Sequence, residues 1–172
     1  MNEFLWVLVE LGENISAFIA WFFLVAFLFH LSSSINKPNK SAVQLSCIMM
    51  VSYFLSSFLS LDAVTYLDYF MCDAVTIFIV LIWYAKTKFA TPAALIYLIT
   101  GMSVNALLFL GMHYDVVILK NEDYWWFWAV YAIGTISIDL LMALALIVNK
   151  DILGLEWAFK QTRAGYLNIR RI

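Results

Sequence analysis

The chain has 172 residues, enough for one domain, of which 65% are hydrophobic and only 13% charged. Soluble domains lie nearer about half apolar and about a quarter charged. With a mean hydropathy of +0.88, water is excluded as the solvent for most of this surface. The net charge of −2 points to no partner, because acids and bases are segregated along the chain. No basic stripe interleaved with stacking aromatics suggests nucleic acid.

The expected fold is an all-α integral membrane protein, a bundle of five transmembrane helices in one membrane domain over residues 1–172. About 20 apolar residues carry a helix across the hydrocarbon layer. The chain begins with acids, Glu3, Glu10 and Glu13, where a cleavable signal would carry positive charge. Neither end shows a lipidation motif. The first span is expected at 15–33, with Phe4 to Asn14 either extending it or lying at the interface. A polar segment holding Pro38 leads to the second span, 42–61, and a tight hairpin around Asp62 leads to the third, 64–85. Thr91 is expected to cap the fourth, 92–112, with Pro92 at its first helical position. The aromatic run Tyr124 to Trp128 enters the fifth, 125–148, and Trp83-Tyr84 leaves the third, both where an interfacial aromatic belt stands. Beyond the fifth, Ile152, Leu155, Phe159, Tyr166 and Ile169 recur near helical spacing around Lys160 and Arg163. That pattern predicts a short amphipathic helix in a basic interfacial tail, 150–172, with a partly ordered tail as the alternative.

Basic residues orient the bundle. Lys37 and Lys40 follow the first span, Lys86 and Lys88 the third, and Lys150, Lys160, Arg163, Arg170 and Arg171 the fifth. A five-span parsing puts these on one side and leaves only Lys120 on the other. Because cytoplasmic loops carry the excess of Lys and Arg, the N-terminus is expected outside and the C-terminus in the cytoplasm. Glu3, Glu10, Glu13, Asp62, Asp68, Asp115, Glu122 and Asp123 then describe the outer surface, with Asp73 deeper in the outer half.

Polar residues inside the spans follow helical spacing. Asp62, Tyr66, Tyr69, Asp73 and Thr76 step by three and four and share one face. Asp68 points away from it. Trp128, Tyr131, Thr135, Asp139 and Met142 form a second stripe, and Ser46, Tyr53, Ser57 and Ser60 a third. Tyr97, Gly101 and Asn105 make a looser set, and the first helix offers Glu10, Asn14, Ala17 and Trp21. Polar faces are costly against lipid, so the stripes are expected to face one another. An aspartate near a helix centre costs roughly 2.5–3.5 kcal/mol on insertion scales, and no span contains Lys or Arg to offset Asp73 or Asp139. These carboxyls must be protonated, bind a cation, accept hydrogen bonds or touch internal water. In one reading they make a cation or proton path, Asp62, Tyr66, Tyr69, Asp73, Asn105, Tyr131, Thr135 and Asp139, below an outer vestibule of Glu10 and Glu13. In the other, they only hydrogen-bond neighbouring helices.

Catalytic signals are missing. There is no GxSxG, HExxH, Walker or glycine-rich dinucleotide motif, so no catalytic residue, cofactor or metal is expected. His113 and Asp115 supply too few ligands, His30 reads as interfacial, and Cys47 and Cys72 read as packing residues. The expected function is that of a small polytopic membrane protein without catalytic machinery, a structural, accessory or interaction component of phage or mobile-element type. The alternatives are an oligomeric cation or proton channel or transporter using intramembrane carboxylates, and an outer-interface metal or redox enzyme. Expected partners are the lipid bilayer, here a bacterial inner membrane, and copies of itself or other membrane proteins.

Overall fold

The structure is a computed structural model that describes residues 2–59, 65–88, 90–123, 125–155, 157–159 and 161; side chains are described within these ranges from residue 17 onward, except 58 and 59. Among the described residues it is all-helical. In chain order come α1 (Asn2–Ser33), α2 (Ser41–Leu59), α3 (Tyr66–Lys86), α4 (Ala94–His113), a π-helix (Tyr114–Ile118) and α5 (Trp126–Val148). The segments Tyr66–Lys86, Ala94–Ile118 and Trp126–Val148 are each long and apolar enough to cross a membrane, and Ala17–Ser33 and Ser41–Ser57 are shorter apolar helices. At 1.5 Å per residue, the 21 residues of α3 reach roughly 30 Å, the thickness of the hydrocarbon layer.

Each helix packs on the next in sequence, and α5 returns to α1, so the five close into a ring. The α2–α3 seam is the loosest of the ring. A largely apolar groove of about 830 Å3 runs there, between Cys47, Val51 and Leu55 on one side and Met71, Val75 and Ile79 on the other. Inside the ring, Phe23, Leu45, Leu98, Met102, Met142 and Leu146 are fully buried or nearly so. Outside it, Phe78, Leu107 and Ile133 are 64%, 67% and 63% exposed. Water would penalise that exterior heavily; hydrocarbon would not.

Close approach of α4 and α5 depends on two glycines. A Cβ on Gly101 would lie 2.6 Å from Met142 Cγ and 3.1 Å from Ile138 Cγ2, and one on Gly111 would lie 2.6 Å from Phe127 Cζ. Small residues here let the backbones approach where lipid supplies no hydrophobic force between helices.

Several expected boundaries move. Phe4 to Asn14 extends the first helix: α1 runs unbroken from Asn2. Pro92 is not the first residue of α4, because Thr91 and Pro92 precede a turn closed by Leu95 N–H on Pro92 O at 3.1 Å, and the helix starts at Ala94. At the far end of α4, the Leu119 N–H reaches back five residues to Tyr114 O at 2.9 Å, which carries the helix past 112. Asp68 does point away from the bundle; it caps α3, accepting from Thr65 N at 2.8 Å and Thr65 Oγ1 at 2.7 Å, as a carboxylate at a helix N-terminus should. Of the tail, residues 155, 157–159 and 161 are helical, with Ala158 N–H bonded to Gly154 O at 2.9 Å, while Lys160, Arg163, Tyr166 and Ile169 lie outside the described residues.

The polar face expected on α1 is a correction of register. Trp21 is 65% exposed and Ala17 is exposed; the inward positions are Ile19, Phe23, Ala26 and His30. These step by three and four as the outward pair does, and apolar side chains fill the ring interior better than a lone indole. Glu10, Glu13 and Asn14 lie on the backbone of α1, but their side chains lie outside the described residues, as does Asp62 altogether.

Candidate functional site

Near the middle of α5, Asp139 Oδ1 accepts two hydrogen bonds from two other helices. Tyr53 Oη on α2 donates at 2.5 Å and Asn105 Nδ2 on α4 at 2.8 Å. Each donor is itself held. Tyr53 stacks on Phe23 of α1 with ring centroids 4.1 Å apart, and Asn105 is 2% exposed against α5. Four of the five helices therefore meet around one carboxyl. In a medium of low dielectric a short charge-assisted bond of this kind is stronger than in water.

Asp73 on α3 supplies the fifth helix and behaves differently. It lies close enough to Asp139 and Tyr53 to interact electrostatically with both. Its Oδ2 is nevertheless buried without a hydrogen-bond partner among the described residues, and so is Oδ1 of Asn105. One turn further along α3, Thr76 Oγ1 contacts Ser52 Oγ of α2 at 2.5 Å and donates to Cys72 O at 2.7 Å. The interior thus holds more acceptors than donors. Apart from Lys86, the last residue of α3, no Lys or Arg lies within the five helices. Among the described residues no three His, Cys, Asp or Glu side chains gather as a metal site.

Rings cover the carboxyls on the side away from the Lys-rich end. Tyr66 meets Tyr131 edge-on at 5.8 Å, Phe109 meets Tyr131 at 5.8 Å, and Tyr69 stacks on Phe109 at 5.3 Å. Tyr66, Tyr69, Asp73, Asn105, Tyr131 and Asp139 therefore lie on the helix faces that line the ring interior. Thr135 is not part of the polar network: its hydroxyl donates to Tyr131 O of its own helix at 2.9 Å. Ser57 lies on an exposed position and Ser46 bonds its own helix at Val43 O, so of the described residues of the α2 stripe only Tyr53 reaches the carboxyls, while Ser60 lies outside the described residues. Ser52 and Phe109 escaped the sequence reading. Ser52 is off the serine face by one position, and an apolar Phe109 carries no polar signal.

Two further polar residues make ties at the ends of the helices, one of them against expectation. Asp115 is not a surface acid. It is 5% exposed and accepts from Asn121 Nδ2 at 3.1 Å, Trp125 Nε1 at 2.9 Å and Trp128 Nε1 at 2.8 Å. It therefore pins the entry of α5 to the end of α4 and is already occupied by neutral donors. His30, in the last turn of α1, is 7% exposed, and its Nε2–H donates to Leu146 O at 2.7 Å, a last-turn carbonyl that α5 cannot satisfy by itself. A comparable tie that no stripe announces joins Tyr97 Oη to Asp151 Oδ1 at 2.6 Å.

Compared with family models, curated proteins and solved structures, the chain shows no match.

If Asp139 is the junction of the ring, Tyr53→Phe should lower stability in detergent by roughly 0.6–2 kcal/mol. In a double-mutant cycle with Asp139→Asn the losses should be less than additive. Strict additivity in thermal or denaturant unfolding would show that the bond carries no stability.

Proposed function

We propose that this chain is a five-span membrane protein, N-terminus outside and C-terminus in the cytoplasm, whose interior reversibly binds a proton or a monovalent cation at Asp73 beside Asp139. The observation that carries the proposal is the buried Asp73 oxygen without a partner among the described residues. A purely structural role asks each intramembrane carboxyl to be satisfied by a neighbouring helix, as Asp139 is. Asp73 departs from that pattern at a cost that function would justify. The rings of Tyr66, Tyr69, Phe109 and Tyr131 then separate this site from the outer face, and their negative π-faces suit a passing cation.

Orientation is supported by the lysines. Lys37, Lys40, Lys86, Lys88 and Lys150 all belong to connections at one end of the ring, whereas Lys120 belongs to the other. A membrane-impermeant thiol reagent applied to intact cells should label Glu122→Cys, and should label Lys88→Cys only after the membrane is opened. The reverse pattern would overturn the orientation, and equal labelling of both would overturn the odd number of spans.

Liposomes holding the purified chain should pass protons or monovalent cations down a gradient, and Asp73→Asn should cut that flux by at least about tenfold, the scale of losing a charged group from its site. A wild type as impermeable as empty liposomes would sink the transport reading.

A second reading, that of an accessory or interaction component, is favoured by the apolar groove at the loose α2–α3 seam. Its partner on that reading is a second copy of the chain. A monomer at every concentration in mild detergent would count against it.

A further inference from the structure

At the Lys-rich end of the ring, the end of α1, the start of α2, the connection into α4 and the end of α5 surround a cavity of about 680 Å3. Among the described residues its wall contains Lys37 and Lys150 and no acid. Neither lysine forms an ion pair with a described residue. The nearest acid in sequence, Asp151, is turned instead to Tyr97 Oη and to the Trp157 N–H at 2.9 Å. Helix dipoles do not explain the charge, because two helix N-termini and two C-termini meet here and offset one another.

The wall also carries polar groups with spare capacity. His30 is 7% exposed, and with Nε2–H donating to Leu146 O its Nδ1 is left as an acceptor with no partner among the described residues. Asn149, held in the left-handed region at φ 48° and ψ 40°, buries an Oδ1 that no donor among the described residues reaches. On the opposite wall Ser41 Oγ and Asn39 Nδ2 both bond Ala90 O, at 2.9 and 3.3 Å. These bonds hold the α1–α2 connection against the α3–α4 connection, so the cavity is built and not a gap between loose loops.

We propose that this cavity binds a phosphate group, with Lys37 and Lys150 supplying its counter-charge, while His30 Nδ1 and Asn149 Oδ1 offer acceptors to a hydroxyl of the attached alcohol. The chemistry is that of an anionic phosphodiester with a free hydroxyl. Basic pockets between helices at the cytoplasmic boundary suit anionic lipid headgroups, and free phosphate shares the same charge. The inference rests on the membrane setting and is independent of the carboxyl pair.

The test is native mass spectrometry of the full chain released from mild detergent, titrated with phosphatidylglycerol, with phosphatidylcholine and with inorganic phosphate. The wild type should retain one phosphatidylglycerol in preference to phosphatidylcholine by roughly tenfold or more, the scale of two lysines near a phosphate. Lys37→Gln with Lys150→Gln should abolish the preference, Lys37→Arg with Lys150→Arg should keep it, and Lys86→Gln with Lys88→Gln should leave it intact. The arginine pair and an unchanged melting curve separate loss of binding from loss of fold. Displacement of the lipid by inorganic phosphate, with the same dependence on Lys37 and Lys150, assigns the site to the free ion. A preference that survives the Lys37 and Lys150 glutamines, or that falls equally with Lys86 and Lys88, overturns the proposal.

Discussion

Everything polar inside this ring must find its partner inside the ring. Hydrocarbon supplies no hydrogen bonds, so a side chain such as Asp139 dictates what its neighbours on other helices must be. Tyr53 and Asn105 answer that demand from α2 and α4, and the stacked Phe23 fixes the angle at which Tyr53 does so. The same rule operates at both ends. Asp115 draws two indoles and an amide around itself where α4 gives way to α5, and His30 satisfies the carbonyl of Leu146 where α5 ends. These ties cross between helices where apolar packing against lipid would leave rotation and register free.

Spacing made a good part of this legible. The three-and-four steps from Tyr66 to Thr76 and from Tyr131 to Met142 describe real inward faces, because a polar side chain on a lipid face has no compensation and the constraint is one-sided. Apolar residues carry no such constraint, which is why α1 misled: Trp21 is as comfortable in hydrocarbon as Phe23 is in the core, and only packing decides between them. Asp115 misled for the opposite reason. An acid in a short connection reads as solvated, and nothing local announces that Trp125 and Trp128, 10 and 13 residues on, will fold their ring N–H groups back onto it. The start of α4 was misplaced because Pro92 fits the first turn by its φ angle alone, whereas the observed turn places it ahead of the helix.

The interior and the Lys-rich end then divide the chemistry between them. The centre collects acceptors under a cover of rings and offers no cationic side chain; the end collects cationic side chains around a cavity and offers no acid. Such a division by sign follows from burial. A lysine at the boundary can reach water or a headgroup, while a carboxyl half-way along α5 must be held by donors brought in from other helices.

Among the described residues Asp73 is the one interior carboxyl with an oxygen left open. Infrared difference spectra of the chain in bilayers, recorded on changing proton or sodium concentration and repeated in D2O, read that group directly. The account predicts reversible carboxyl bands that shift with the isotope and disappear in Asp73→Asn. Bands identical in wild type and Asp73→Asn, or no carboxyl response at all, would contradict it.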